Sequence, residues 1–371
     1  MKKLILVLST LLLLTGCWDE RQFKNIKLVL TLGYDQGENG GIIETVSIPT
    51  IQRSSEGPGP ESVQVISTDA VTPRDARDKV DQSISNTFDP AKVKVVVIGE
   101  DLAKENIYPT LDEFYRNPNN NLNAHLALAR GKAEDILNFN SQSPTRISDY
   151  ISGILEGAVA ATHATGENLQ LVCAELIEPG EDFSIPMLKI DEEQSVIKFD
   201  GMGLFHEDHY TGIDIPADQT TLFMLMQGKK GRVARLTKKV SDKHENEQMN
   251  YVTVNVMNQK QKLKIKAEGE TVSADLKVDL KVRVVEYPAD HLAESATVKE
   301  LNQKLSEILT KEAEEIIKIM QEANSDIWAI GRQVKAYHPE VHKKLDWIEA
   351  YPEIEITPNV DVEILQHGII N

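Results

Sequence analysis

The chain has 371 residues, 41% of them apolar, and a formal net charge of −18. That length suffices for two domains and the apolar fraction for ordinary hydrophobic cores. So acidic a surface argues against nucleic acid as a partner and against broad adhesion to anionic lipid.

The chain opens with a leader. Lys2 and Lys3 give a positive start, residues 4–14 are apolar except for Ser9 and Thr10, and Leu14-Thr15-Gly16-Cys17 follows. This apolar run is shorter than the roughly 20 residues that a spanning helix needs, and with these flanks it reads as a secretory signal. An aliphatic residue at −3 and small residues at −2 and −1 before Cys17 form a bacterial lipobox. Residues 1–16 are therefore expected to be removed, leaving a diacylglyceryl group on Cys17. Two acyl chains give stable attachment where one does not, so the body is expected on the outer face of a membrane. Cys173 is then the one remaining thiol, which leaves no intramolecular disulfide. It lies in the apolar-rich stretch 169–177 and reads as a small buried residue. Cys17-Trp18-Asp19 behind a lipobox resembles the opening of the Ger(x)C lipoproteins, the C subunits of spore germinant receptors. The family continues with an acidic residue and Leu, where this chain has Arg21-Gln22-Phe23.

Residues 26–34 and 41–49 predict two strands joined as a hairpin, residues 53–62 an exposed polar Gly/Pro loop, and residues 63–71 a further strand. Thr72-Pro73-Arg74-Asp75 is a helix start, with Thr as N-cap and Pro in the first turn. Ala76, Val80 and Ile84 then mark its apolar face. KVKVVVI at 92–98 is the densest β-forming run of the first half, and one helix is expected from about 102 to 115. A short strand at 124–129 and a helix at 145–161 follow. In that helix Gly153, Gly157 and Ala161 form a ridge of small residues expected to pack closely in a core. KVKVVVIGEDLAKENI, LDEFYRN and ARGKAEDIL, in that order, resemble the N-terminal domain of Ger(x)C proteins.

A boundary is expected near the polar turn 191–195. Beyond it, residues 196–214 read as a hairpin and 218–226 as a helix. Four strands are predicted next, at 232–240, 251–258, 262–267 and 275–286. The last alternates most cleanly, with Leu276, Val278, Leu280, Val282 and Val284 on one face and charges on the other. Residues 297–322 predict a long amphipathic helix with Leu301, Leu305, Leu309 and Ile316 on its apolar side. The ending, with Asp326-Ile327-Trp328-Ala329-Ile330-Gly331, then a Pro, a Trp-bearing helix and alternating Val360, Val362 and Ile364, resembles the C-terminal domain of Ger(x)C proteins.

Candidate chemistry is sparse. His206 and His209 stand three apart in an expected hairpin turn, not at the i, i+4 helical spacing of HExxH, and are expected to form a solvated turn without metal. Gly201-Met202-Gly203 is too short for a dinucleotide fingerprint, and neither G-x-S-x-G nor a Walker A sequence occurs. The basic run Lys229, Lys230, Arg232, Arg235, Lys238, Lys239 and Lys243 could meet an acidic partner or lipid headgroups, but reads better as the wet face of a strand and its loops.

From the residues alone, the chain is an acidic, membrane-tethered, non-enzymatic ectodomain of α+β class. Two domains are expected, 17–193 and 194–371, each a mostly antiparallel or mixed sheet with packed helices. The resemblance implies a germinant-receptor C subunit on the outer face of the cytoplasmic (spore inner) membrane, working with integral-membrane A and B subunits and without a cofactor. Two other classes compete: a lipoprotein solute-binding protein serving a transporter, and a surface hydrolase using the His206/His209 region.

Overall fold

In the computed structural model, residues 26–54, 57–139, 146–177 and 180–366 are described; Cys17 and the lipobox lie outside them. Strands β1 (Ile26–Leu28), β2 (Thr31–Gln36) and β3 (Ile42–Ser54) follow the apolar runs of the start, with β2 and β3 antiparallel as expected. Strand β4 (Gly57–Ala70) returns along β3, and Arg53 pairs with Pro58 and Ser54 with Gly57. The stretch expected to be a loop at 53–62 is thus mostly ladder. Pro58 and Pro60 are tolerated because β4 is the sheet edge, where an outward N–H is not needed. Helix α1 (Pro73–Asp81) starts as its sequence dictates, with Thr72 Oγ1 accepting from Asp75 N at 3.2 Å.

After β5 (Thr87–Asp89) and β6 (Val95–Gly99), the helix expected as one piece is two, α2 (Glu100–Ala103) and α3 (Tyr108–Arg116). Pro109 is the cause: it suits the first turn of α3 but cannot continue an incoming helix. Then come β7 (His125–Ala129), α4 (Ala133–Asn138), α5 (Ile147–Ala160), α6 (Leu169–Ile177), β8 (Ser184–Asp191) and the hairpin β9 (Val196–His206) and β10 (His209–Pro216).

Strands β1 and β5 pair parallel with each other, and the other eight form a mixed sheet in the order β10-β9-β8-β7-β6-β2-β3-β4, with parallel pairing from β2 through β6 and β7 to β8. Helices cover both faces. Val96, Ile98, Leu126 and Leu128 pack toward α1, α3 and α6, whereas Val95, Val97, Ala127 and Ala129 pack toward α4 and α5. Burial on both faces is why β6 reads as an unbroken apolar run. In α5 the buried side is Ile147, Ile151, Leu155 and Ala158. Gly153 and Gly157 lie on the opposite, exposed side with nothing within 4 Å of an added Cβ, so the small-residue ridge is not a packing surface.

Helix α7 (Thr220–Met226), buried throughout, leads into a second sheet. It contains β11 (Arg235–Lys239), β12 (Tyr251–Glu268), β13 (Thr271–Glu286) and β14 (Glu355–Gln366), in that order. The two strands expected within 251–267 are one, because a bulge between Val256 and Asn258 shifts the register without ending the ladder. Between β13 and its parallel neighbour β14 run α8 (Ser295–Glu322), α9 (Ile330–Tyr337), α10 (Pro339–His342) and α11 (Trp347–Ala350). Helix α8 buries Leu301, Leu305, Leu309, Ala313, Ile316, Ile317 and Met320. Each large one contributes about 1.5–3 kcal/mol relative to exposure. The other face of this sheet meets solvent, as the alternation in β13 predicts.

The hairpin β9–β10 lies beyond the expected boundary at 193/194, yet it pairs with β8 and so belongs to the large sheet. Its side chains divide. Phe205 and Tyr210 enter the core of the first sheet, while Met202, Leu204 and Ile215 enter the core of the second. The hairpin is the joint between the two halves.

Candidate functional site

The site grows from the end of α8. Ser325 N bonds Met320 O at 2.9 Å and Asn324 N bonds Gln321 O at 3.0 Å, the Schellman pattern, with Asn324 at φ +49. This turn delivers Ser325 and Asp326 to the joint. The Asp326 carboxylate accepts from Ile330 N (2.9 Å), Gly331 N (2.8 Å) and Trp347 Nε1 (3.2 Å), tying the start of α9 to α11. Gly331 is required here, because a Cβ would lie 2.3 Å from the Trp347 indole nitrogen.

From the other half comes Asp182, just before β8. Its Oδ2 accepts from Asp326 N at 2.7 Å and lies 3.3 Å from His206 Nδ1, and its Oδ1 accepts from Glu207 N at 2.8 Å. Ser325 Oγ donates to Phe205 O at 2.5 Å, and Tyr351 OH donates to Ser325 O at 2.9 Å. Four separated chain segments therefore meet on two buried carboxylates. Burial, with the Asp182 charge also raising it, pushes Asp326 up to about 7 against the pull of its N–H donors. The bond to Asp182 raises His206, and burial raises the Tyr351 hydroxyl.

Beside this junction lies a cavity of about 290 Å³ whose lining includes Glu167, Glu175, Asp182, Gln261, Trp328 and Gln333. Most of its charges are engaged. Glu167 meets Lys229 at 3.3 Å, and Glu181 meets Arg332 at 2.7 Å. Glu175 has a buried Oε2 without a hydrogen bond, and burial with the neighbouring Glu167 charge raises its carboxyl to about 8.

Of the residues singled out from sequence, His206 is not simply solvated: its side chain is 19% exposed and pinned to Asp182, whereas His209 points to Asp208 and is 42% exposed. The two rings meet edge-on with centroids 5.8 Å apart. Among the described residues no group of three or more His, Cys, Asp or Glu is placed to hold a metal. Cys173 is half-buried on α6 with its thiol raised by burial. Three of the seven residues of the basic run are paired within the chain, Lys229 with Glu167, Lys238 with Glu312, and Lys239 with Asp242 and Glu247. Sequence reasoning missed Asp182 altogether and met Asp326 and Trp347 only inside a resemblance. The local signal for Asp326 is an acidic residue four and five positions before two N–H groups of a helix start.

Residues 19–190 match the family model described as spore germination protein N-terminal domain, and residues 200–368 match that described as spore germination B3/GerAC like, C-terminal. The chain belongs to this spore germination family. In this chain Asp182, inside the first matched stretch, and Asp326, inside the second, clamp the two together. Three Bacillus subtilis relatives bear the match out. The putative spore germination protein YfkR is 30% identical over 60% of this chain and 60% of its own length. Spore germination protein KC is 21% identical over 99% of this chain and 96% of its own. Spore germination protein B3 is 23% identical over 97% and 96%. The crystal structure of the GerBC protein shares the fold, with a TM-score of 0.55 at 19% identity, covering 90% of this chain and 96% of that one.

Proposed function

We propose that this chain is the lipid-anchored, non-catalytic C subunit of a spore germinant receptor, required for nutrient-triggered germination. Cys17 carries the diacylglyceryl anchor once residues 1–16 are removed. The body then sits on the outer face of the cytoplasmic (spore inner) membrane and assembles with integral-membrane A and B subunits. The observation that carries this reading is the family match, which begins at residue 19, directly behind the lipobox, and continues in two parts to residue 368. No helix among the described residues is long and apolar enough to cross a membrane, and a two-chain anchor provides attachment of its own. The titratable groups at the junction are engaged in joining chain segments, which supports a structural rather than a catalytic role.

Cys17→Ala tests the reading. The variant is expected to leave the membrane fraction or persist as an uncleaved precursor, and spores carrying it to respond poorly to nutrients. Wild-type flotation with membranes in cells that lack the membrane subunits would overturn the anchor.

A second reading, a solute-binding lipoprotein serving a transporter, has one observation in its favour, the cavity at the junction. Its polar groups, however, converge largely on one another. Glu167 and Glu181 each hold a cation of the chain, and Asp182 holds backbone N–H groups.

A further inference from the structure

The two edges of the second sheet are treated differently. Strand β14 is one edge, and its outward N–H groups are satisfied by α8. Ile364 N donates to Asn302 Oδ1 at 2.9 Å, Val362 N to Ser306 Oγ at 2.9 Å, and Val360 N to Thr310 Oγ1 at 3.0 Å. Three polar side chains four residues apart on one helix thus close the edge against any further strand.

The other edge has no such cover. Strand β11 pairs only with residues 251–255 of β12, and Val256 N bonds Ala234 O at 2.8 Å. From Met257 to Glu268 no backbone group on the open side bonds to any described residue. On the inner face Gln259 Nε2 donates to Leu225 O at 2.8 Å and Gln261 borders the turn at Gly228, but the backbone edge itself, about 40 Å at the usual rise, is a ready template for another strand. Its chemistry narrows what can add. Lys260, Lys262, Lys264 and Lys266 stand exposed on the outer face, opposite Asp279, Lys277, Asp275 and Ser273 of β13. Asp275 is taken by Lys266 at 2.6 Å and Asp279 by Lys277 at 2.7 Å, so Lys260, Lys262 and Lys264 make no ion pair among the described residues. On the inner face Leu263, Ile265 and Ala267 are half-buried at the border of the core.

We propose that residues 257–268 of β12 are a docking edge for an extended segment of another protein that alternates acidic and apolar residues and adds as a fifth strand. Its acids would meet the lysine column, its apolar side chains would extend the core beyond Leu263 and Ile265, and its backbone would fill the open ladder. A second copy of the chain does not fit. Pairing β12 with itself sets lysine against lysine, and β14 is closed by α8. The lysines themselves supply the bias, because like-charged strands are repelled while an acidic one is drawn in.

The test uses the full chain in detergent micelles and a synthetic ten-residue peptide alternating glutamate and valine. Hydrogen exchange is expected to slow at alternate amides of 257–268 on addition of peptide. Lys260→Glu, Lys262→Glu and Lys264→Glu together should weaken binding by roughly tenfold or more while leaving the melting temperature unchanged. The triple Lys→Gln variant should act in the same direction with a smaller effect. A peptide with lysine in place of glutamate should not bind. No protection, protection elsewhere, or equal binding of the lysine peptide overturns the proposal. So does protection of these amides by self-association without peptide, which would make a second copy the occupant.

Discussion

The two sheets solve burial in opposite ways. The large sheet is covered on both faces, so its central strand β6 is buried at every position and a polar group that falls inside has no water to turn to. Glu44 on β3 shows the consequence. It is 0% exposed, faces Tyr34 and the Arg77–Glu113 pair, and burial raises its carboxyl to about 7. The second sheet is covered by α8 on one face only, and its outer face carries charges into solvent without penalty. Two-sided burial makes a fold sensitive to what lies inside, and one-sided burial makes it sensitive to which side a residue falls on.

The sharpest test of that difference is a pair of neighbours on α8. Leu305 is 0% exposed, whereas Lys304 is 35% exposed and pairs with Glu300 at 2.8 Å. Leu305→Asp places a charge in the core and should cost about 4 kcal/mol or more, against a domain stability of about 5–15 kcal/mol. Lys304→Glu should change stability by only about 0.5 kcal/mol. Thermal melts of the full chain read both, and equal melting temperatures would break the comparison.

Asp326→Ala asks whether the two halves depend on the clamp. It strips the partner from two buried donors, Ile330 N and Gly331 N, and from the partly buried Trp347 Nε1, and should cost about 3 kcal/mol. Urea unfolding measures the loss. Hydrogen exchange should locate it in α9 and α11 while the amides of β6 and β7 keep their protection.

A third test probes the two-sided burial of the large sheet through pH. Glu44 binds its proton more tightly folded than unfolded, so its contribution is fully present below about 4.5 and is lost as pH rises through about 7. Glu44→Gln should leave stability near wild type at pH 5. Between pH 5 and pH 8 it should remove a loss on the order of 2 kcal/mol. Parallel pH curves for the two proteins would mean that Glu44 is not trapped as drawn.

Local physics was legible in the chain. The Thr72-Pro73 cap, the period-two pattern of β13 and the apolar stripe of α8 each depend on neighbours within a few residues, and each element forms where that pattern lies. The α+β class, with its two mixed sheets, follows from such elements. Errors came where a local reading had two outcomes. Gly153 and Gly157 could have faced a core or water, and the bulge after Val256 could have been a turn. What the tertiary structure alone decided rests on pairs far apart in the chain. Asp182 meets Asp326, Ser306 meets Val362, and the hairpin β9–β10 gives one set of side chains to each core. No periodicity encodes such pairings, because a buried polar group is satisfied by whichever donor packing brings to it.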